Sequence, residues 1–446
     1  MAFVAWSSWA RAPLAAPSDT RVEEAYGVDV GVAADAATFS GLAQASLVSS
    51  EADDASAGLQ IAGWRTRTRH QFAGVAQLAG WRSEADDFFG VAELGLASAQ
   101  ALHGRAVLQL GLVEAYATNL FAVAQVSLGR SDVDLFAGAL QLAAAPRAGR
   151  FYGGAQIGVY NRAGTDAGAV GGFPGRGFVA LAQIGGVNDD VRFGGFVELG
   201  ALNLDDGDFE GALQLGAVNV LHRDFVGVAE LGAWNHLDWS SFHGVVQIGA
   251  ANVGARDVFA FAELGACNLV SRSFVGAFTL GLVNADGGFQ GLLEVGALNA
   301  VGASAGRFLG AADDDYRWGW NSAFQGVAQV GVANLVGDHF YGAVQAALVA
   351  NDVTASFGGA LQLAGLRNAV DQDFRGVAQI APLNDVRHDF SGLVQIGLVN
   401  TTGHALRGVQ IALVNVAGEL RGVQLGLLNI SGRHGLPVSL LVNGGA

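Results

Sequence analysis

Short apolar phrases alternate with polar turns along almost the whole chain. A clear copy is FVGVAELGAWN, Phe225 to Asn235, and a few polar or turn-forming residues follow it before a similar phrase begins. Further copies lie at 72–82, 209–219, 242–252 and 390–400. Self-similarity at a fixed period is the signature of repeat architectures, so the repeat is the first feature to interpret.

The Gln or Glu at the centre of each phrase, here called the central position, measures the repeat. Neighbouring central residues are mostly 16 apart, with a range of 14 to 17 outside two longer gaps. They are Gln44, Gln60, Gln77, Glu93, Gln109, Gln125, Gln141, Gln156, Gln183, Glu198, Gln214, Glu230, Gln247, Glu263, Thr279, Glu294, Gln329, Gln345, Gln362, Gln379, Gln395, Gln410 and Gln424. A final, degraded copy would place Val438 at the same position.

The residue types in each phrase predict an all-β chain. Gln-(Leu/Ile)-Gly-x-(Val/Leu)-Asn is rich in branched apolar residues and is bounded by turn-forming residues, which is typical of a strand closed by a turn. A glycine recurs in every unit and the apolar spacing does not follow 3.6 residues, so a helix is disfavoured. Units of this length are also too short for a helix plus a strand.

Two all-β architectures fit such a unit. In a β-solenoid each unit of about 16 residues is one coil, and equivalent residues stack in rows. In a large up-and-down transmembrane β-barrel each unit is one strand, and neighbouring strands run antiparallel. Three copies lack one residue between Gly and Gln, at Gln60, Gln410 and Gln424. Such a loss would invert a continuous strand but is tolerated at a solenoid corner, which favours the solenoid.

The solenoid hypothesis assigns a direction to each side chain. The leading Phe and the Leu or Ile after the central residue are expected to point inward. The Asn at the strand end is expected to stack at a bend, where its amide bonds backbone groups that the turn exposes. The central Gln/Glu row is expected to face water, because a buried column of unpaired carboxylates is too costly. Trp64, Trp81 and Trp234 have no assigned direction. If they point outward, they form a stripe that favours lateral self-assembly or contact with a membrane.

The repeat and its interruptions divide the chain into six segments. They are an N-terminal segment at 1–38, which is a candidate signal remnant and cap, a repeat array at 39–161, a glycine-rich insertion at 162–178, a second array at 179–299, an Asp/Trp insertion or degenerate coil at 300–323, and an array with a C-terminal cap at 324–446. Loops that leave a regular scaffold often carry binding.

Composition narrows the function classes. Hydrophobic residues make up 51% of the chain and charged residues 14%, which is too apolar for a disordered protein. The net charge of −16 and the absence of a basic stripe argue against a nucleic-acid partner. The sequence lacks the spacing motifs of metalloproteases, serine hydrolases and phosphate loops. We therefore expect no enzymatic activity, no catalytic residues and no bound cofactor.

Aspartates cluster in several turns, at 86–87, 189–190, 205–208 and 313–315. Converging carboxylates would permit weak calcium binding, although charge in turns also serves solubility. One insertion combines acids with aromatic residues, which is typical of a partner-binding patch. Its candidate residues are Asp313, Asp314, Asp315, Tyr316, Trp318 and Trp320.

Near the C-terminal end the phrase becomes GVQIALVNVAGELRGVQLGLLNISG, residues 408–432. This stretch resembles a bacterial surface-repeat family with tandem G-(L/V)-Q-(I/L)-G-L-V-N units. The resemblance implies a secreted, cell-surface or outer-membrane protein of a Gram-negative bacterium. Together with the repeat it suggests a non-enzymatic structural or binding scaffold with an unknown protein or cell-surface ligand. The alternative hypothesis is an outer-membrane β-barrel acting as a pore or transporter.

Overall fold

The computed structural model describes residues 22–164, 177–302 and 322–446. All regular structure in these ranges is β-strand, wound as a β-solenoid with coils of about 16 residues, which confirms the predicted fold class. The chain forms two compact units, Met1–Asp206 and Gly207–Ala446.

The first unit holds thirteen of the described strands. Several of them run on through the corners of a coil. They are β1 (Val22–Ala62), β2 (Arg65–Ala79), β3 (Arg82–Phe89), β4 (Ala92–Gly95), β5 (Ser98–Gly111), β6 (Glu114–Val126), β7 (Arg130–Leu142), β8 (Ala145–Ile157), β9 (Tyr160–Ala163), β10 (Phe178–Ile184), β11 (Val187–Asp190), β12 (Phe193–Leu199) and β13 (Leu202–Asp205).

The strands of the second unit are mostly shorter, commonly two or three to a coil, although a few run on through the corners. They are β14 (Phe209–Glu210), β15 (Leu213–Leu215), β16 (Val218–Leu221), β17 (Phe225–Val226), β18 (Ala229–Leu231), β19 (Trp234–Leu237), β20 (Ser241–His243), β21 (Val246–Val253), β22 (Asp257–Val270), β23 (Ser273–Leu280), β24 (Val283–Asp286), β25 (Phe289–Gln290), β26 (Leu293–Val301), β27 (Phe324–Gln325), β28 (Ala328–Val336), β29 (Phe340–Tyr341), β30 (Val344–Val353), β31 (Phe357–Gly358), β32 (Leu361–Ala364), β33 (Arg367–Val370), β34 (Phe374–Arg375), β35 (Ala378–Ile380), β36 (Leu383–Val386), β37 (Phe390–Ile396), β38 (Val399–Ile411), β39 (Val414–Arg433) and β40 (Val438–Gly445).

Consecutive coils pair in parallel and in register. Strand β10 pairs with β12 so that Phe178 lies beside Phe193 and Gln183 beside Glu198. The coils on either side of each insertion also pair directly, as Gln183 does with Gln156. Parallel pairing at one repeat's distance is the arrangement of a solenoid. It differs from the antiparallel strands of the barrel hypothesis, which is therefore wrong.

The interior of each coil is built from stacked rows rather than from interdigitating side chains. The leading Phe residues are fully buried, as predicted, and their rings stack face to face on successive coils. Centroids are 4.7 Å apart for Phe324 and Phe340 and 4.9 Å apart for Phe340 and Phe357. A row of mostly Ala, Val and Leu lies two residues after the Asn position, as at Val336 and Val353, and is also buried. We call this the aliphatic row.

Two predicted side-chain directions are wrong. The central Gln/Glu row is buried, although it was expected to face water, and the Leu or Ile that follows it is partly exposed, as at Ile184 and Leu215. Alternation along a strand links the two, because adjacent side chains point to opposite faces. The central amide can lie inside because an identical amide on the next coil satisfies it, which removes the burial cost.

Two glycines have a structural role that other residues could not fill, one beside the Asn row and one at a corner. A Cβ at Gly249 would lie 2.7 Å from Asn252 Oδ1 and 2.9 Å from Asn235 Nδ2, so the Asn row requires glycine there. Gly408 has a φ of +141° and lies at a corner that lacks one residue. Register shifts between Ser391 and Val394 at this corner and resumes at the central residue. The Phe-x-Gly join therefore absorbs the change in length, as predicted.

The last strand closes the array differently from the prediction. Strand β40 runs antiparallel to β39, and Val438 is exposed rather than at a central position. Asn443 is buried instead, and its Nδ2 donates to Gln424 Oε1 at 3.3 Å. The final segment is thus a hairpin that ends the central row, and not a further coil.

Candidate functional site: buried amide and carboxylate rows

The central row is a ladder of side-chain hydrogen bonds with one direction. Gln60 Nε2 donates to Gln44 Oε1 at 2.9 Å, and Gln424 Nε2 donates to Gln410 Oε1 at 2.9 Å. Within a run of glutamines, each side chain thus donates a hydrogen bond to the preceding coil and accepts one from the coil that follows. We call this arrangement the glutamine ladder. Its orientation fixes which way every central oxygen points.

The Asn row forms a second ladder with the opposite direction. Asn268 Nδ2 donates to Asn284 Oδ1 on the following coil at 2.9 Å, and its second proton goes to the Leu280 carbonyl at 3.0 Å. Asn299 repeats both contacts with Asn334 and the Val330 carbonyl. The predicted bond from Asn to turn backbone is confirmed. The predicted stacking of the Asn residues takes the form of a side-chain hydrogen bond from one Asn to the next.

Glutamate interrupts the glutamine ladder in a consistent way. Glu93 lies beside Gln77 on one side and Gln109 on the other, and Gln109 Nε2 donates to Glu93 Oε2 at 2.9 Å. In the described part of the chain, Gln77 Oε1 and Glu93 Oε1 are buried without a hydrogen-bond partner. Two facing oxygens need a proton between them, so Glu93 fits this position as a neutral acid that donates to Gln77.

Burial favours the protonated form of Glu93. Desolvation raises the pKa of Glu93 to about 7 from its ordinary 4.5, against the lowering effect of the bond from Gln109. The same arrangement occurs where Gln247 meets Glu263, with the pKa of Glu263 raised to about 8 by burial and by Glu230. A protonated glutamate has one donor and one acceptor oxygen to offer along the row, which is enough to continue the ladder.

A cluster of acids forms where the aliphatic row also carries aspartate. Asp190 and Asp205 occupy that row in two successive coils, beside Glu198 of the glutamine ladder. All three are fully buried, and one carboxylate oxygen from each lies within 4.8 Å of the others. Burial, and then the charge of Glu198, raise the pKa of Asp190 well above its usual range. We call Gln183, Asp190, Glu198 and Asp205 the acidic cluster.

A second group of buried acids surrounds a shorter central residue. Thr279 replaces Gln between Glu263 and Glu294, and Asp286 lies in the aliphatic row of the same coil as Thr279. Both Asp286 oxygens are buried without a hydrogen-bond partner among residues that the structure describes. Burial first, and the charges of Glu294 and Glu263 after it, raise the pKa of Asp286 well above its usual range.

Exposed apolar side chains follow the buried polar central residue in many coils. The residue three positions after the central residue is exposed in coil after coil, and in the last three coils it is Leu398, Leu413 and Leu427, which are 53%, 50% and 61% exposed. We call this the apolar column. It includes Leu96, Leu112, Leu128 and Val159 in the first unit and Leu282, Val332, Leu348, Leu398, Leu413 and Leu427 in the second.

The tryptophans without an assigned direction also point outward. Trp64, Trp81 and Trp234 are each about half exposed, one position after the apolar column. Trp64 and Trp81 stack with ring centroids 5.1 Å apart. Exposed tryptophans therefore lie one above another on consecutive coils, as expected if these side chains point outward.

The structure locates some of the predicted site residues and omits others. The candidate partner-binding residues Asp313, Asp314, Asp315, Tyr316, Trp318 and Trp320 lie outside the described residues, and their role stays a prediction. Of the Asp-rich turns, Asp86 is exposed, whereas Asp190 and Asp205 point into the coil. The signal for burial was present in the sequence, because both aspartates follow the Asn by two residues, where other coils carry Val or Leu.

Comparisons with known proteins return no match. The chain matches no protein-family model, no curated protein and no solved structure. Within the described ranges, a search for helices long and apolar enough to span a membrane finds none.

Proposed function

We propose that the protein is a non-enzymatic structural scaffold whose copies associate side by side through the apolar column. The observation that carries the proposal is the repeated exposure of Leu398, Leu413 and Leu427 on three successive coils. Apolar patches that extend over several hundred Å² on a protein surface mark interaction sites. Leucines at a spacing of about 4.8 Å, the distance between paired strands, form a continuous apolar patch over these coils.

A second copy of the chain is the partner that fits the column best. The column has the same spacing on every copy, so two columns can pack side by side with leucine against leucine over the coils of Leu398, Leu413 and Leu427. Self-complementary patches of this kind generate homo-oligomers. The net charge of −16 opposes close approach of copies at low salt, and screening removes that repulsion without weakening apolar contacts.

The test is the association of purified protein, measured by light scattering and electron microscopy over a range of salt concentrations. Association is expected to increase with salt and to disappear when Leu398, Leu413 and Leu427 are all replaced by Gln, with the circular dichroism unchanged. The matched control replaces Val377 and Leu393, which are exposed two positions before the central residue and not three after it, by Gln. A triple variant that assembles like the parent protein refutes the proposal. Binding of the parent to lipid vesicles without self-association would replace it with a membrane role.

The proposed location is outside the cell or at the bacterial cell surface. The support is the resemblance of residues 408–432 to a bacterial surface-repeat family. Protease treatment of intact bacteria tests the proposal, because a surface protein is degraded while a cytoplasmic marker is not. Full protection of the protein in intact cells, with digestion after lysis, argues against a surface location.

A further inference from the structure

We propose that the acidic cluster is a calcium site enclosed within the first unit during folding. Its ligands would be oxygens of Asp190, Glu198 and Asp205 together with Gln183 Oε1. The site is distinct from the apolar column and does not depend on the scaffold function proposed above.

The first observation is the convergence of three carboxylates with no solvent around them. Asp190, Glu198 and Asp205 are fully buried, and their ligand atoms lie within 4.8 Å of one another. Calcium binds oxygens at 2.3–2.6 Å, so two ligands on opposite sides of the ion are about 4.6–5.2 Å apart. The cluster is therefore compact enough for all three carboxylates to contact one ion.

The second observation concerns Gln183, a neutral side chain beside the three acids. Its Nε2 donates to Gln156 Oε1 at 2.8 Å and to Asp190 Oδ1 at 3.0 Å. The direction of the glutamine ladder turns Gln183 Oε1 toward Glu198, its register partner on the following coil. In the described structure this amide oxygen is buried without a hydrogen-bond donor. A neutral oxygen in this position needs a donor or a cation.

The remaining contacts of Asp190 show that its two oxygens have different surroundings. Oδ1 accepts from the Ala163 backbone N–H at 3.0 Å in addition to Gln183. Oδ2 is buried and has no hydrogen-bond partner among the described residues. The carboxylate is therefore held in place through one oxygen, and the other is available to a ligand. Such support of a ligating carboxylate by hydrogen bonds is usual at metal sites.

Charge and ligand type indicate calcium. Three carboxylates this close repel one another when they are ionised, and a divalent cation bound between them offsets that repulsion. The donors are all oxygens, which suits Ca²⁺ or Mg²⁺ and disfavours zinc or copper. Magnesium releases its water reluctantly and usually keeps several water ligands, whereas calcium accepts irregular sets of protein oxygens. A site without solvent access therefore favours calcium.

The experiment measures calcium content and refolding on the full chain. Protein is unfolded in guanidinium with a chelator, refolded with Ca²⁺, with Mg²⁺ or with neither, desalted, and analysed for metal by mass spectrometry. We expect the Ca²⁺ sample to retain about one more ion per chain than a variant with both Asp190→Ala and Asp205→Ala, because a structural ion is bound in the folded state. Alanine occupies the same row at Ala148 and Ala163, so the variant matches the neighbouring coils.

Glu93→Gln is the matched control, since it removes a buried acid that has no aspartate beside it and should leave the calcium content unchanged. The wild-type protein is also informative without any variant, because Ca²⁺ is expected to raise its refolding yield and thermal midpoint. Wild-type protein that refolds equally well without calcium and retains none overturns the proposal. Calcium that is retained equally by the double variant also overturns it, because the ion then lies elsewhere.

Discussion

Replacement of Glu93 by Gln tests whether the glutamine ladder holds neutral glutamates. The variant places an amide where the protonated acid lies, so its Nε2 can donate to Gln77 Oε1 while its Oε1 accepts from Gln109. The hydrogen-bond pattern is then complete at every pH. We expect the stabilising effect of Glu93→Gln to be small at pH 4 and large at pH 8.

The magnitude follows from the pKa of Glu93, which burial raises from 4.5 to about 7. Below pH 4.5 the carboxyl group is protonated in both the folded and the unfolded chain, and its contribution to stability is fully present. Between pH 4.5 and about 7 the unfolded chain ionises first, so stability falls as the pH rises. Above pH 7 the loss levels off at roughly 3 kcal/mol, the free energy that corresponds to a pKa change of this size.

The assay is hydrogen exchange of the backbone amides in the coils around Glu93, together with guanidinium unfolding, at pH 4, 6 and 8. Hydrogen exchange measures local opening of the structure. It suits a repeat array, because coils of such an array need not unfold together. The reciprocal variant Gln379→Glu should introduce the same pH dependence where the wild-type ladder has none, since Gln379 donates to Gln362 and accepts from Gln395. Equal stabilisation by Glu93→Gln at pH 4 and pH 8 would refute the argument.

Two further substitutions test the other rows. Phe340→Ala removes a ring stacked between Phe324 and Phe357. It should lower the unfolding free energy, measured by guanidinium unfolding, by about 3–5 kcal/mol. Phe340→Leu should lower it much less, because leucine already occupies this row at Leu406. Asp286→Val matches the residues beside it in the aliphatic row and should raise the thermal midpoint at pH 8, because it removes a buried carboxylate whose pKa is raised by burial. A lower midpoint for Asp286→Val would mean instead that the carboxylate has a stabilising ligand.

The sequence predicted the coil but not the direction of its central residue. Period, strand content, the stacked Phe row and the bond from Asn to turn backbone all follow from residue types within one unit. The burial of Gln follows from a contact between units, because its cost disappears only when the next coil brings an identical amide. Considered one coil at a time, Gln has no partner and belongs outside. Burying a polar group is costly for an isolated side chain, but the cost is removed when a neighbouring coil supplies a hydrogen-bond partner.

The inward direction of the central side chain can be predicted by comparing how much residue types vary at each position of the repeat. The residue after the leading Phe varies freely in size and charge, as Glu210, Val226 and His243 show, and this position is outward or partly exposed. The central position is almost restricted to Gln and Glu, which have the same length and shape. A solvated position does not need such uniformity, whereas a ladder with one hydrogen bond per coil does. The exposed leucines of the apolar column follow from the same alternation.

Thr279 shows how the ladder limits the placement of acids. Every described glutamate in the central row has a Gln on the following coil, except Glu263, which is followed by Thr279 and then Glu294. Gln183 and Asp190 occupy the same two rows within one coil, and there Gln183 Nε2 donates to Asp190 Oδ1 at 3.0 Å. Thr279 supplies no such donor, because its Oγ1 and both Asp286 oxygens are buried without a hydrogen-bond partner among the described residues. We infer that Thr279→Gln would give Asp286 a donor, so the substitution should stabilise the wild-type chain more than a chain that also carries Asp286→Val. Unfolding free energies of the two single variants and the double variant test this coupling, and additive effects would contradict it.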